Sequence, residues 1–208
     1  MELQDVYTIH VSNLSRNKIS DKKILEKYQK IKSAYSSASR FYHTLQHLSD
    51  VICELQKVET IIENLSQVMM AVFYHDIVYN VNSSDSEAES AEFASAELED
   101  LNIPVADIEN CKRMILATKD HTQLDNNDLN LFLDADLTIL GSDRETYQTY
   151  LQNIRKEYSI YTDQEFNAGR KKVLSNLLKR QKLYKTSYFQ EKYESKAREN
   201  LSWEIQSL

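Results

Sequence analysis

A histidine and an aspartate stand side by side in a stretch that is otherwise apolar and aromatic. His75 and Asp76 interrupt the sequence AVFYHDIVY, which runs from Ala71 to Tyr79. An imidazole and a carboxylate are both ligands of divalent metal ions. Adjacent residues of a helix point about 100° apart, so the pair can hold one ion only if the ion sits between their two directions. Further ligands must then come from other parts of the chain.

Two other segments offer such ligands. Upstream, the sequence HTLQHL carries His47, and downstream, FLDADLTILG carries Asp134 and Asp136. Two carboxylates that are two positions apart on a helix point to different sides, so only one of them should reach a shared ion. The residues therefore indicate a candidate metal site made of His47, His75, Asp76 and one of the two aspartates.

The sequences around these ligands resemble a known family. RFYHTLQHL, FYHDIVY and LDADLTILG are similar to the motifs of the HD-domain superfamily, in a bacterial branch of predicted metal-dependent HD phosphohydrolases. The resemblance runs from about Ser33 to the C-terminus. It implies four metal ligands, which are His47, His75, Asp76 and Asp136. Asp134 is then expected to support the ligands or to cap a helix. The alternative interpretation of a lone His-Asp pair is a hydrogen-bonded core histidine.

The composition favours an all-helical protein. Gly occurs twice and Pro once in 208 residues, which is too few turn residues for a sheet of many strands. The length is suited to one domain. The resemblance implies a single-domain helical bundle of the HD type over residues 1–208. Its metal-binding core would span about 33–141, and the C-terminal helices of residues 142–208 would pack on that core.

Apolar periodicity and capping residues predict the helices that carry the ligands. We expect a helix from about Thr44 to Asn64 with His47 near its start. A second helix, capped by Ser66, is expected over Gln67–Tyr79 and would hold the His-Asp pair toward its C-terminal end. A third is expected over Asn127–Leu140, with Gly141 in the C′ position. The ligands would then come from three separate helices.

Local signals give expectations for the rest of the chain. A Ser or Thr followed three residues later by Glu is the signature of a capping box. It occurs at Ser84 with Glu87, Ser142 with Glu145, and Thr162 with Glu165. Residues 1–18 have weak periodicity and are expected to be partly ordered. The basic run Lys179–Lys185 is interpreted as a solvated helix end.

Charge and cysteine usage restrict the class of protein. A net charge of −7 argues against an extended nucleic-acid partner, because binding phosphates along a nucleic acid requires a basic face. Cys53 and Cys111 lack metal-ligand spacing and are expected to be reduced, buried thiols. No stretch approaches the ~20 apolar residues of a transmembrane helix, and no signal peptide is recognisable. We expect a cytoplasmic protein without a membrane partner. The oligomeric state stays open.

The ligand types define the metal and the chemistry. Two imidazoles and two carboxylates suit one divalent transition metal, namely Mn²⁺, Fe²⁺, Co²⁺, Ni²⁺ or Zn²⁺, better than Mg²⁺. Such an ion lowers the pKa of a bound water and neutralises charge on a phosphoryl group. Asp76 could accept a proton from that water. The resemblance implies hydrolysis of a small phosphorylated metabolite, with nucleotides as the leading class.

Basic residues close to the ligands in sequence are candidates for substrate binding. Phosphate recognition needs fixed cations, and the candidates are Arg40, His43, Lys119 and His121. Lys119 and His121 are also candidate catalytic residues, together with Asp76. Each cation has a simpler interpretation. Arg40 could pair with a surface carboxylate, and Lys119 could be a solvated charge after a helix end.

Two other functions stay open. HD sites that hold two metals, including the oxygenases of the superfamily, typically add two histidines between the His-Asp pair and the final Asp. Only His121 lies in that interval here, which favours one metal and hydrolysis, although His43 could be recruited. The second alternative is a non-catalytic HD module that binds a nucleotide or a protein partner in a regulatory role. Metal-dependent turnover would distinguish the enzyme from the module.

Overall fold

Helices make up the regular secondary structure of this chain. The computed structural model describes residues 2–208, and in that range it contains ten α-helices, two 3-10 helices and no strand. The α-helices are α1 (Leu3–Leu14), α2 (Asp21–Tyr35), α3 (Leu45–Gln56), α4 (Leu65–Tyr74), α5 (Ser86–Asp100), α6 (Val105–Ala117), α7 (Asn127–Asp136), α8 (Arg144–Glu157), α9 (Asp163–Lys179) and α10 (Ser187–Ser207). The 3-10 helices cover Glu59–Ile61 and Thr138–Gly141. The prediction of an all-α fold is confirmed.

The contacts divide the chain into two units. The first ends at Leu133 and the second runs from Asp134 to Leu208. Helix α4 is the centre of the first unit, where it packs against α1, α3, α5 and α6. Its residues Val68–Tyr74 are all buried, as expected for a helix that is apolar on every side. The predictions of a single domain and of its internal boundaries stay predictions.

Helix α1 lies in a stretch whose weak periodicity did not predict a helix. Within residues 1–18, which we expected to be partly ordered, Leu3–Leu14 form a regular helix. Tyr7 and Val11 are completely buried, and the Tyr7 hydroxyl is 2.7 Å from the hydroxyl of Tyr74. The Tyr7 ring also meets the Phe73 ring edge to face. Packing on α4, a tertiary effect, therefore orders a helix with little amphipathic pattern.

The second unit is built around α10. This helix packs on α9 and on the 3-10 helix Thr138–Gly141. The backbone approach is close at Gly141, where an added Cβ would lie 2.8 Å from Tyr193 Cβ. Helix α7 ends at Asp136, so the predicted helix over Asn127–Leu140 is four residues too long and Gly141 is not its C′ residue. Close packing is the reason for glycine at this position.

The predicted capping boxes have different outcomes. The box of Thr162 and Glu165 is confirmed, with both reciprocal hydrogen bonds present at the start of α9. The box at Ser142 is wrong, because the side chain of Asp143 caps α8 by accepting from the Thr146 N–H at 2.9 Å. Asp143 is itself a favourable N-cap residue one position later. A short sequence pattern did not distinguish the two starts.

The two cysteines differ in burial. Cys111 is buried, and burial raises the pKa of its thiol to about 12. Cys53 is exposed, so the expectation that both thiols are buried is wrong for this residue. It lies in α3 but is not among the buried residues of that helix. Among the described helices, none combines the length and the apolar character needed to cross a bilayer.

Candidate metal centre

Helix α3 presents His47 in its first turn. The Thr44 side chain accepts from the Gln46 N–H and starts the helix. His47 faces inward and is 4% exposed. The helix ends at Gln56, so the predicted extension to Asn64 is wrong. The chain leaves α3 through a 3-10 turn at Glu59–Ile61, beyond which the backbone N–H groups of residues 63 and 64 donate to a carboxylate of α7.

The His-Asp pair does not lie inside a helix. Helix α4 ends at Tyr74 and His75 is its C-cap, so the predicted helix over Gln67–Tyr79 is five residues too long at this end. Its start is also different, because Asn64 takes the N-cap position instead of Ser66. His75 keeps a helical backbone conformation, and Asp76 lies in the turn that follows. In the turn, His75 Nε2 and Asp76 Oδ2 are 3.1 Å apart.

A backbone contact fixes the tautomer of His75. Its Nδ1 is 2.8 Å from the carbonyl oxygen of Val72. A carbonyl oxygen only accepts, so Nδ1 must carry the hydrogen of a neutral ring. The other nitrogen, Nε2, then presents a lone pair. This arrangement, in which one ring nitrogen donates to a carbonyl and leaves the other for a ligand, is typical of metal-binding histidines.

Two polar atoms lie close to that lone pair. His47 Nε2 lies 3.2 Å from His75 Nε2, and Asp76 Oδ2 lies 3.1 Å from the same atom. A carboxylate oxygen beside an imidazole lone pair is repulsive unless a proton or a cation lies between them. Because His75 is 1% exposed, bulk water does not screen this repulsion well. The chemistry of the donor set therefore fits a bound cation.

Asp136 joins the two histidines. It is the last residue of α7, and one ligand atom each from His47, His75 and Asp136 lie within 4.8 Å of one another. Metal–ligand bonds of about 2.1 Å place neighbouring ligand atoms roughly 3–4 Å apart, so the three residues could hold a metal ion. Asp76 is not in this group of three. Its role as a fourth ligand stays a prediction, supported by its distance to His75.

Asp134 points to different partners. Its carboxylate, which is completely buried, accepts from the Lys185 N–H at 2.8 Å and from the Thr186 N–H and hydroxyl at 2.8 Å each. Burial raises the pKa of this carboxyl group, and the Lys185 charge and the amide donors oppose that shift. The carboxylate thus binds the backbone just before α10, which begins at Ser187. The sequence expectation that Asp134 supports the ligands or caps a helix stays a prediction.

The segment that contacts Asp134 was misinterpreted from sequence. Lys179–Lys185 was expected to be a solvated helix end, but Leu183 and Tyr184 are buried and the Lys185 side chain is 4% exposed. Helix α9 ends at Lys179, and the chain then turns inward to meet Asp134. Two apolar residues among five polar ones are too few to produce a periodic signal.

His43 lies beside the His-Asp turn. Its Nε2 is 3.8 Å from Asp76 Oδ2, and its ring lies on the Tyr79 ring with centroids 4.3 Å apart. The side chains of His43 and Asp76 are 18% and 20% exposed. A polar pair at the edge of a buried cluster is accessible to a small ligand. The predicted role of His43 in substrate binding stays a prediction.

Arg40 is bound to the backbone. Its guanidinium donates to the carbonyls of His43, Asp76 and Ile77. The residue is buried, which does not agree with the alternative of a surface ion pair. A role in phosphate binding stays a prediction, and it must compete with these three hydrogen bonds.

Lys119 and His121 lie in the loop after α6. The Lys119 ammonium donates to the Ser84 carbonyl at 2.7 Å and is 3.4 Å from Asp85 Oδ1. His121 has a φ of 46°, a conformation that is uncommon for residues other than glycine. The capping box predicted at Ser84 is wrong, because α5 starts at Ser86 with Asp85 as N-cap. The contacts described for Lys119 join two loops, and its catalytic role stays a prediction.

Sequence reasoning missed the residues that hold the turn after α4. The Tyr35 hydroxyl accepts from the Asp76 N–H at 3.2 Å. The Ser90 hydroxyl meets both the N–H and the carbonyl of Val78 at 3.1 Å. Tyr35 lies in α2 and Ser90 in α5, so these partners are set by tertiary structure. No local sequence pattern identifies them.

Comparisons with known proteins give no assignment. No protein-family model matches the chain, and neither does any curated protein or any solved structure. The HD resemblance therefore depends on the motifs around His47, the His75–Asp76 pair and Asp136. The chemistry of that group is the basis for any statement of function.

Proposed function

We propose that this chain is a metal-dependent phosphohydrolase of the HD type that acts on a small phosphorylated substrate. The main support is the convergence of His47, His75 and Asp136, whose ligand atoms lie within 4.8 Å of one another. Both histidines are buried. Two imidazoles and a carboxylate form a donor set that suits a divalent metal ion.

The donor set favours a transition metal. His47, His75 and Asp136 would hold it, and Asp76 is the proposed fourth ligand. Nitrogen ligands favour Mn²⁺, Fe²⁺, Co²⁺, Ni²⁺ or Zn²⁺ over Mg²⁺, which prefers oxygen. When bound, such an ion lowers the pKa of a coordinated water and offsets negative charge on a phosphoryl group.

The residues at the edge of the group would act on water and substrate. The Asp76 carboxylate is partly exposed and would accept a proton from the attacking water. His43, 3.8 Å from that carboxylate, would donate a hydrogen bond to a phosphoryl oxygen. Lys119 and His121 would supply further positive charge, as the sequence predicted. Proton acceptance by a positioned carboxylate typically contributes about 10²–10⁴-fold to the rate.

A screen of phosphorylated compounds tests the proposal. The protein is stripped with a chelator and reloaded with each divalent metal, and phosphate release is measured from nucleotides and sugar phosphates. We expect turnover with at least one transition metal, and inhibition by inorganic phosphate. His47→Ala should abolish turnover. His10→Ala is the matched control, because His10 is a half-buried histidine that contacts Ser66 instead.

Variants of the basic loop test phosphate binding. Lys119→Ala or His121→Ala should leave metal content intact and lower kcat/KM. Loss of a charge-assisted contact to the transferring group typically costs ~2–4 kcal/mol, or roughly 30-fold to 1,000-fold in rate. Loss of metal in parallel with activity would instead make His121 a ligand of a second ion. No change in either quantity would leave Lys119 as the loop contact that its bond to Ser84 describes.

The screen also separates the alternatives. Tight binding of a nucleotide without turnover under every metal would favour a regulatory module. Oxygen consumption by the iron-loaded protein, with no phosphate release, would favour a two-metal oxygenase. Either result would replace the proposed hydrolysis.

A further inference from the structure

The Arg40 side chain connects the segment before α3 to the turn after α4. Its Nη1 donates to the Asp76 carbonyl at 2.7 Å and to the His43 carbonyl at 3.2 Å. Its Nη2 donates to the Ile77 carbonyl at 2.9 Å. Arg40 is 8% exposed. One guanidinium therefore joins the backbones of His43 and Asp76, the two residues whose side chains lie beside each other at the candidate metal centre.

The backbone of Asp76 is held from two directions. Its carbonyl accepts from Arg40, and its N–H donates to the Tyr35 hydroxyl at 3.2 Å. The Arg40 Cζ also lies 4.7 Å from the centroid of the Tyr35 ring and 5.4 Å from that of the Tyr79 ring. Contacts with aromatic rings restrain a planar guanidinium in addition to its hydrogen bonds. The Asp76 peptide group therefore has a defined position.

The turn that follows α4 has carbonyls that need such a partner. His75 keeps a helical conformation as the C-cap, and the Ile77 N–H donates back to the Tyr74 carbonyl. Arg40 then binds the carbonyls of Asp76 and Ile77, which in a longer helix would accept from later N–H groups. In this turn, His75 Nε2 and Asp76 Oδ2 lie 3.1 Å apart. A lysine has a single ammonium group and cannot match three carbonyls with a planar fork.

We propose that Arg40 is a positioning residue of the metal centre, which holds the His75–Asp76 turn in the conformation that places the Asp76 carboxylate beside His75. The effect on metal binding rests on the proposed function. The effect on the turn itself does not, since the hydrogen bonds of Arg40 are made by the protein alone. This role is different from the direct phosphate contact that the sequence predicted.

Arg40→Lys tests the proposal because it keeps the positive charge and removes the fork. In the metal-free protein, we expect the Asp76 and Ile77 amides to exchange with deuterium at least about tenfold faster, measured by NMR. Zn²⁺ affinity, measured by competition with a chromophoric chelator, should fall about 10–100-fold, the range for residues that orient metal ligands. The inhibition constant of inorganic phosphate should stay unchanged.

Arg198→Lys is the matched control. Arg198 also binds carbonyls at a helix end, with Nη1 on Leu178 and Nη2 on Arg180 and Gln181. Its replacement should lower the melting temperature without changing amide exchange at Asp76 or Zn²⁺ affinity. Tyr35→Phe is a milder second variant if Arg40→Lys does not fold. It removes the acceptor of the Asp76 N–H and should accelerate exchange at that amide.

Two results would overturn the proposal. Unchanged amide exchange and Zn²⁺ affinity in Arg40→Lys, with a weaker effect of inorganic phosphate, would make Arg40 a substrate-binding residue. Faster exchange at Asp76 in the Arg198→Lys control would show a general loss of stability instead of local positioning. If the parent protein bound no Zn²⁺, the proposed function would fail, and the exchange measurement would still decide the role of Arg40.

Discussion

Asp134 and His75 are both buried polar residues, and the groups around them differ. The oxygens of Asp134 face donors, which are the N–H groups of Lys185 and Thr186 and the Thr186 hydroxyl. His75 Nε2 faces a second imidazole nitrogen and a carboxylate oxygen. Burial of a polar group is costly unless a partner of complementary type is present. The chain supplies donors to Asp134, whereas the residue types of the second cluster could hold a cation.

The two aspartates at the end of α7 show how a structural carboxylate differs from a possible metal ligand. Asp134 and Asp136 are two residues apart at the end of the same helix. The first connects α7 to the start of α10, and the second belongs to the group of possible metal ligands. The same chemical type at two nearby positions therefore does not imply the same role. Asp134 accepts from backbone and hydroxyl donors, whereas Asp136 lies near the nitrogens of two histidines.

The largest expected effect is the loss of metal from ligand variants. His47→Ala, His75→Ala and Asp136→Ala should each lose bound metal after dialysis, because a chelate with one ligand fewer is weak. Asp134→Asn should retain it. Metal content per chain, measured by mass spectrometry of the metal, checks this expectation. The parent protein should carry about one ion per chain, since the donor set suits a single ion.

The aspartate variants also test which of the two aspartates binds the metal. If Asp134→Asn lost the metal while Asp136→Asn kept it, the roles of the two aspartates would be exchanged. His10→Ala provides the control for the histidines, because His10 hydrogen-bonds to Ser66 and not to the cluster.

The second effect is on stability and concerns Asp134. Asp134→Ala leaves the buried Lys185 ammonium without its carboxylate, and loss of one partner of a buried pair typically costs about 3–5 kcal/mol. Asp134→Asn keeps an acceptor oxygen and should cost less, about 1–3 kcal/mol. Denaturant unfolding of the metal-free protein measures both. An equal loss in metal-free His75→Ala would contradict the comparison, because the histidine cluster should gain little stability without its cation.

Several site residues could be predicted because their chemistry is visible in the sequence. His47, His75 and Asp136 are a polar set in apolar surroundings, and the structure brings them together. The Thr162 capping box was equally predictable, because its hydrogen bonds close within four residues. Both kinds of prediction depend on residue types at a fixed spacing. Neither needs knowledge of distant contacts.

The end of α4 could not be predicted in this way. Periodicity continues the helix to Tyr79, and the helix stops at Tyr74 because Arg40 and Tyr35 bind the following backbone. These partners are 36 and 41 residues away from Asp76 in sequence. The partners of Asp134 are 51 and 52 residues away. Tertiary hydrogen bonds of this kind override local propensity and leave no local pattern.

The smallest expected effect uses the two glycines of the second unit. Gly141→Ala would place a Cβ 2.8 Å from Tyr193 Cβ and 2.9 Å from its carbonyl oxygen, and overpacking against backbone typically costs about 1–3 kcal/mol. Gly169 lies inside α9 with nothing within 4 Å of an added Cβ. Gly169→Ala should therefore stabilise the protein by about 0.5–1 kcal/mol. Denaturant midpoints measure both changes.

The two glycine variants test packing without changing a polar group. Gly141 lies in the 3-10 helix that packs on α10, and Asp134 binds the backbone of Lys185 and Thr186 just before that helix. If protein contacts alone hold this region, Gly141→Ala should reduce stability equally with and without metal. A stability loss that appeared only in the metal-free protein would mean that the metal centre also supports this packing. The region around Asp134 would then depend on the metal centre as well as on its own hydrogen bonds.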